Sequence, residues 1–224
     1  MEPCFSSAVL TTAYFPPVEY FFVIAHSRQV LIEQHEAYQK QSWRNRCRIL
    51  AAAGPEDLSI PVVKEERLSR PIRDIRIDYS EPWLQHHVRA FAAAYNHSAF
   101  YDYYADDLLP ILESKPVFLF DLNMSLLEKL LELLDLHVPV SLTDTFVAPS
   151  AMLHDFDGRE RIQPKYKGES LLAEYACEQA YYQVFVNEMP GLARHDGMPS
   201  FIPNLSILDL LSAEGPDAAS FLRT

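Results

Sequence analysis

Hydrophobic and polar positions change their spacing along the chain, from strand-like runs in the first third to helical spacing in the middle. The first third begins with an apolar run over residues 8–15, which predicts a strand. A short helix is predicted over 17–25, because proline at position 17 suits the first helical turn. A second strand is predicted over 29–33.

Two later segments extend this predicted sheet. Residues 42–51 and 58–63 are expected to pair as a hairpin, because a turn with glycine and proline lies between them. Residues 72–77 alternate again, with Arg73, Ile75 and Ile77 on one face, and are predicted as a further strand.

The middle of the chain is predicted to be helical. Trp83, His87, Phe91 and Tyr95 recur every four residues and form one stripe of a helix. The remaining predictions are helices over 106–113, 125–136 and 207–211, strands over 139–148 and 181–185, and a final short helix with Phe221 and Leu222. The pattern indicates an α+β (mixed α/β) fold in a single domain, residues 1–224, with a small N-terminal sheet, a helical middle and short C-terminal helices.

Charge and composition exclude several classes of function. The chain has 224 residues with 31 acidic and 19 basic side chains, for a net charge of −12. Nucleic acid and anionic membrane surfaces are therefore not expected as partners, because both attract basic proteins. The start of the chain has no basic segment followed by an apolar one, and the three cysteines form no CxxC pair. These features predict a cytoplasmic protein with reduced thiols.

A basic segment over 40–48 stands out in this acidic chain. A strand there would place Arg44, Arg46 and Arg48 on one face, with Lys40 nearby. The guanidinium groups could bind a phosphate or carboxylate ligand, for which their planar fork is well shaped. Alternatively, they could form ion pairs across the sheet with Asp74 and Asp78 of the predicted neighbouring strand. The two interpretations are not exclusive.

Two further groups could carry catalysis. Glu33 and His35 share one face of a strand, and a carboxylate beside an imidazole suits general acid–base chemistry with His35 as the base. Cys47 lies on the strand face opposite the arginines and would be a nucleophile if its thiol were activated. The alternatives are a solvated strand end for Glu33 and His35, and a buried hydrophobic role for Cys47.

No metal site or cofactor is predicted. His86 and His87 are adjacent on a helix and point about 100° apart, so one ion would not easily bind both, and His87 is predicted to be in the core. No GxGxxG, P-loop or GxSxG motif occurs. A charged stretch with Asp157, Arg159 and Lys165 is predicted as a polar loop, where binding groups often lie.

The chain resembles the WbqC-like family of bacterial proteins in segments spread over its whole length. The block over 33–47 is the most specific of them. The other matching positions are 14–17 and 20, 58–62, 83, 86–87, 89, 95, 98, 100, 103–104, 157, 159, 164–165, 182–185, 204–211 and 215–216.

The resemblance implies a role in surface-polysaccharide biosynthesis, including O-antigen. The expected activity is a transferase that moves a glycyl, aminoacyl or acyl group from a donor, a small molecule or a carrier protein, onto the amino sugar of a nucleotide-activated precursor. His35, oriented by Glu33, would accept the proton of the attacking amine. Phosphate contacts would come from five cations: Lys40, Arg44, Arg46, Arg159 and Lys165. The alternative is a non-catalytic binding or assembly protein of the same pathway, with its arginines in internal ion pairs.

Overall fold

A four-stranded parallel sheet forms the centre of the computed structural model, which describes residues 4–64, 70–148, 155–168, 170–174, 181, 183 and 202–223. Its strands are β1 (Ala8–Thr11), β2 (Val30–Glu33), β5 (Val140–Leu142) and β6 (Phe156–Asp157), in the spatial order β5-β2-β1-β6. All four residues of β1 are buried, as expected for a parallel strand covered on both faces.

A separate antiparallel hairpin consists of β3 (Arg46–Ala51) and β4 (Gly54–Ser59). Arg46 pairs with Ser59 and Cys47 with Leu58. Gly54, at the start of β4, has a φ of +121°, a backbone conformation that side chains with a Cβ rarely adopt.

The other main elements of the described residues are helices. They are α1 (Val18–Ala25), α2 (Trp83–Tyr95), α3 (Tyr101–Glu113), α4 (Leu119–Leu133), α5 (Leu171–Glu174), α6 (Ile207–Glu214) and α7 (Ala218–Leu222). The main cluster of buried apolar side chains draws on residues from Phe5 to Leu222. Within the residues that the structure describes, every helix is too short or too polar to cross a bilayer.

The predicted α+β class is confirmed, and so are most of the predicted elements, although their bounds shift. Helix α1 begins directly after Pro17, and the aromatic stripe of α2 is buried along its length. Helices α3 and α4 begin five to six residues before their predicted starts, at Tyr101 and Leu119. The sheet is not confined to the N-terminal third, because β5 and β6 join it from the second half of the chain.

The strand predicted over 72–77 is wrong in its first half. Ile72–Asp74 form a short 3-10 helix after Pro71, and only Arg76 and Ile77 make isolated bridges, to Phe118 and Val62. Ile72, Ile75 and Ile77 are all buried, so burial by neighbouring helices, rather than pairing along a strand, accounts for the apolar positions. The strand predicted over 181–185 lies largely outside the described residues.

Candidate functional site

Polar residues from four separate parts of the chain follow the carboxyl ends of the parallel strands. Thr12 follows β1, Glu33 ends β2, Thr143 follows β5 and Asp157 ends β6. Carboxyl ends of parallel strands lie at one edge of a sheet, so the topology brings these residues together. Ligands of open parallel sheets bind outside this edge, which makes it the first place to look for a site.

The Glu33 carboxylate is the centre of a buried hydrogen-bond network at this edge. Its side chain is fully buried, and Oε1 accepts from the backbone N–H of His35 (2.7 Å) and the hydroxyl of Thr143 (3.1 Å). Oε2 accepts from the backbone N–H of Val147 at 2.8 Å. Glu33 therefore fixes the segment after β5 to the end of β2.

Arg159 completes this network from the β6 side. Its Nε and Nη2 donate to the two carboxylate oxygens of Asp157 at 2.9 and 2.5 Å, and its Nη1 donates to the carbonyl of Val147 at 2.5 Å. Nη1 also lies 3.6 Å from Oε2 of Glu33. The hydrogen-bonded carboxylate of Asp157 raises the pKa of this guanidinium, with Glu33 and Glu36 adding to the effect. Arg159 is thus a buried bridge between strand ends.

A second ion pair, between Arg44 and Glu36, lies near Arg159. Arg44 donates through Nε and Nη2 to the two oxygens of Glu36, at 2.8 and 2.6 Å, a bidentate geometry. Burial raises the pKa of the Glu36 carboxyl, whereas Arg44 and Arg159 lower it. The backbone carbonyl of Arg44 accepts a hydrogen bond from Asn123 of α4 at 2.8 Å. This pair therefore ties the segment before β3 to the segment after β2.

His35 is a half-buried titratable residue at this edge. Its ring is oriented by a backbone carbonyl. Its Nε2 lies 3.0 Å from the carbonyl oxygen of Thr143, which can only accept, so Nε2 carries the proton. Nδ1 of the neutral ring is then a basic nitrogen, with no hydrogen-bond partner in the described part of the chain. Glu33, expected to orient this ring, instead bonds the backbone of His35.

The crevice between β1 and β6 is where the strand order reverses. Counted in chain order, the four strands lie 3-2-1-4 across the sheet, so the first and fourth strands flank the reversal. Gly158 follows β6, and a Cβ there would lie 2.5 Å from a methyl of Leu10 in β1. The buried Thr12 hydroxyl has no hydrogen-bond partner among the residues that the structure describes. Close backbone approach and an unpaired hydroxyl thus coincide at this point.

The arginines of the hairpin form ion pairs with an acidic neighbour. Arg46 and Arg48 both contact the Asp57 carboxylate, at 3.1 and 2.8 Å, and all three side chains are partly exposed. The predicted ion pairs with Asp74 and Asp78 do not form, because β3 pairs with β4 and not with residues 72–77. Arg44 precedes β3 and points into the interior, so the predicted face of three arginines does not form.

Within the described residues, the other predicted site residues, Cys47, Lys40 and Lys165, make no hydrogen bond to Glu33, His35 or Arg159. Cys47 is fully buried, and burial raises the pKa of its thiol, with Asp57 and Glu56 adding to the effect. A thiol held in its neutral form is a poor nucleophile, which argues against the proposed catalytic role of Cys47. Lys40 is exposed, and Lys165 donates at 2.6 Å to the side chain of Gln41, the residue after Lys40.

His87 belongs to the core, as predicted. It is buried beside Trp83 and Phe91, and burial lowers its pKa to about 4. The Tyr14 hydroxyl lies 2.9 Å from Nδ1 of the ring. A neutral histidine in this setting is a structural hydrogen-bonding group. No group of three His, Cys, Asp or Glu side chains within the described ranges is placed to bind a metal ion.

Sequence reasoning missed Glu36, Thr143 and Phe146 as parts of the candidate site. Phe146 lies against the guanidinium of Arg159, with 5.9 Å between Cζ and the ring centroid. The available signal was the polar stretch within the predicted strand over 139–148, which contains Thr143 and a single aromatic residue. Spacing could not connect it to Glu33, because 110 positions separate Thr143 from Glu33.

Comparisons with known proteins agree with the resemblance. The model of the "WbqC-like protein family" matches residues 12–221, nearly the whole chain. A protein of Mycobacterium tuberculosis (strain ATCC 25618 / H37Rv) described as "Uncharacterized protein Rv1507c" is 29% identical over 231 residues, which cover 96% of each chain. No solved structure matches the chain.

Proposed function

Because the chain belongs to the WbqC-like protein family, we propose that it is a cytoplasmic transferase of bacterial surface-polysaccharide biosynthesis. It moves a glycyl, aminoacyl or acyl group from a small molecule or carrier protein onto the amine of a nucleotide-activated amino sugar. The site is the carboxyl edge of the parallel sheet, and His35 is the general base.

One observation carries this proposal: the ring of His35 is held by the Thr143 carbonyl, and its Nδ1 has no hydrogen-bond partner within the described ranges. Thr143 is itself hydrogen-bonded to the buried Glu33, so the group that orients the imidazole is fixed in position. General bases act best when their orientation is fixed before the substrate binds. The neutral form of an imidazole is the form that removes a proton.

The reaction balances with this one base. The amine nitrogen of the sugar attacks the carbonyl carbon of the activated acyl group, forming a C–N bond. Nδ1 of His35 takes a proton from the attacking nitrogen. The C–O or C–S bond to the donor breaks, and the leaving group receives a proton from the imidazolium.

The phosphates of the precursor need cations that are not already paired. Arg44 and Arg159 are buried in ion pairs, and Arg46 shares Asp57 with Arg48, so we assign them to structure. Lys40 and Lys165 are exposed, and Lys165 is bonded to the residue after Lys40. These two ammonium groups contact the phosphates in our proposal.

The test incubates the purified protein with nucleotide-activated amino sugars and aminoacyl or acyl donors and measures product by mass spectrometry. His35→Gln is expected to lower the rate by about 10²–10⁴-fold, the usual contribution of a general base. His137→Gln is the matched control, because the side chain of His137 is highly exposed and lies 3.5 Å from Asp135. Equal rates for His35→Gln and the parent protein would refute the role of His35.

A non-catalytic binding or assembly protein is the second candidate. One observation favours it: each of Arg44, Arg46 and Arg48 has a carboxylate within 4 Å, as internal ion pairs require. On this alternative, nucleotide-sugars bind but no donor yields product. Arg46→Ala would then change stability without changing any small-molecule affinity.

A further inference from the structure

Residues 143–147, here called the strap, are fixed at both ends to the carboxyl edge of the sheet. At one end, the Thr143 carbonyl accepts from the side-chain amide of Gln34 at 2.7 Å, and its hydroxyl donates to Glu33. At the other end, the backbone of Val147 donates to Glu33 and accepts from Arg159. The strap is therefore held in one conformation beside His35.

Phe146 lies on this strap with its ring turned partly to solvent. Its exposed fraction is 54%, whereas Thr143 on the same strap is 3% exposed. Its ring also covers the guanidinium of the buried Arg159. Isolated exposed aromatic residues are common on protein surfaces, but this one lies on a strap fixed at both ends and has a cation on one face.

We propose that the outer face of Phe146 is a stacking platform for the nucleobase of the precursor. This inference rests on the proposed function, since it names the part of the nucleotide-activated sugar that the site recognises. Base–aromatic stacking tolerates different bases because every base has a π-face, so Phe146 supplies affinity rather than a choice of base.

Because Arg159 lies against one face of the Phe146 ring, the other face favours a neutral planar ligand. Arg159 draws π-electron density toward the inner face, which weakens the attraction of the outer face for a second cation. The amine of the sugar is therefore not the expected ligand of Phe146. A nucleobase offers a neutral π-surface and stacks in an offset geometry on such a ring.

The test measures binding of three probes to the full chain by calorimetry: UDP, ADP and glucosamine 1-phosphate, which has no base. Phe146→Ala is expected to weaken binding of both nucleotides by about 5- to 150-fold. Binding of glucosamine 1-phosphate is expected to stay within about 2-fold of the parent protein. Phe146→Tyr keeps the ring and is expected to restore nucleotide affinity.

Phe118→Ala is the matched control, since Phe118 is another partly exposed phenylalanine, 36% exposed, at the start of α4. It should leave all three affinities unchanged. A further readout uses Phe146→Trp, whose fluorescence is expected to be quenched on adding UDP, whereas Phe118→Trp is expected to show no quenching.

The outcomes separate this inference from the proposed function. Nucleotide binding that depends on Phe146, without any transfer product, would support the platform and refute the transferase. Transfer with the same KM in the parent protein and Phe146→Ala would refute the platform and leave the transferase standing. A parent protein that binds neither nucleotide, or equal losses of all three probes in Phe146→Ala, would also overturn the platform.

Discussion

Two arginines only two positions apart lie in opposite environments. The Arg44 side chain is 2% exposed and bonded bidentately to Glu36, whereas that of Arg46 is 21% exposed and shares Asp57 with Arg48. A buried ion pair leaves an uncompensated charge when one partner is removed, but an exposed pair is replaced by water. The same residue type in the same segment therefore has very different importance for stability.

Breaking the buried pair should have the largest effect. Arg44→Ala leaves the Glu36 carboxylate buried without its guanidinium and is expected to lower the free energy of unfolding by about 3–5 kcal/mol. Urea denaturation measures this loss. The double variant Arg44→Met with Glu36→Leu removes both charges and should recover most of the stability. A loss below about 1 kcal/mol for Arg44→Ala would contradict the comparison.

A buried carboxyl that is paired with no guanidinium of the described residues extends the comparison. Asp209 of α6 is 5% exposed, and burial raises its pKa to about 7, although Tyr181, Tyr95 and Gln183 face it and lower the pKa. The folded protein thus holds this proton more tightly than the unfolded chain, whose aspartate pKa is about 4. The stability from Asp209 is complete below about pH 4 and is lost as the pH rises to about 7.

The non-titrating variant Asp209→Asn measures this effect. Relative to the variant, the parent protein is expected to lose up to about 4 kcal/mol in its free energy of unfolding between pH 4 and pH 8. Denaturation midpoints across this range give the difference. Asp217→Asn, which changes an exposed aspartate, is the control. Parallel pH profiles for the parent and Asp209→Asn would show that the carboxyl titrates normally.

The smallest effect is expected at the exposed hairpin pair. Arg46→Ala should change the free energy of unfolding by about 0–1 kcal/mol, because Asp57 keeps Arg48 as a partner and remains accessible to water. The effect should shrink further at high salt, where surface charges are screened. A loss as large as that of Arg44→Ala would mean that exposure does not separate the two arginines.

Local patterns predicted the elements whose signals lie within one turn or strand. The four-residue aromatic spacing of α2 and the proline before α1 both gave the correct helix. A hairpin forms as predicted, but its second strand is Gly54–Ser59 rather than 58–63, so the glycine and proline expected in the turn lie in β4. The prediction of a strand over 72–77 failed because alternating apolar residues occur both in strands and in irregular segments that are buried on one side.

The candidate site could be predicted only in part. Glu33 and His35 were found because they are neighbours in sequence, but their partners Thr143, Val147 and Arg159 lie more than 100 positions away. Nothing in the spacing indicated that Arg44 would leave the strand and pair with Glu36. Both the partners of Glu33 and His35 and the pairing of Arg44 with Glu36 depend on contacts between distant parts of the folded chain.

The sequence by itself determined the elements with a strong local signal, such as α1 and α2, and which of their faces are apolar, because 2- and 3.6-residue periods are local properties of the backbone. Only the tertiary structure decided that β1 pairs with both β2 and β6, which places Glu33, Asp157 and Arg159 at one edge. It also decided which charges are buried and which are exposed. Strand order and desolvation depend on the whole chain, so no short segment encodes them.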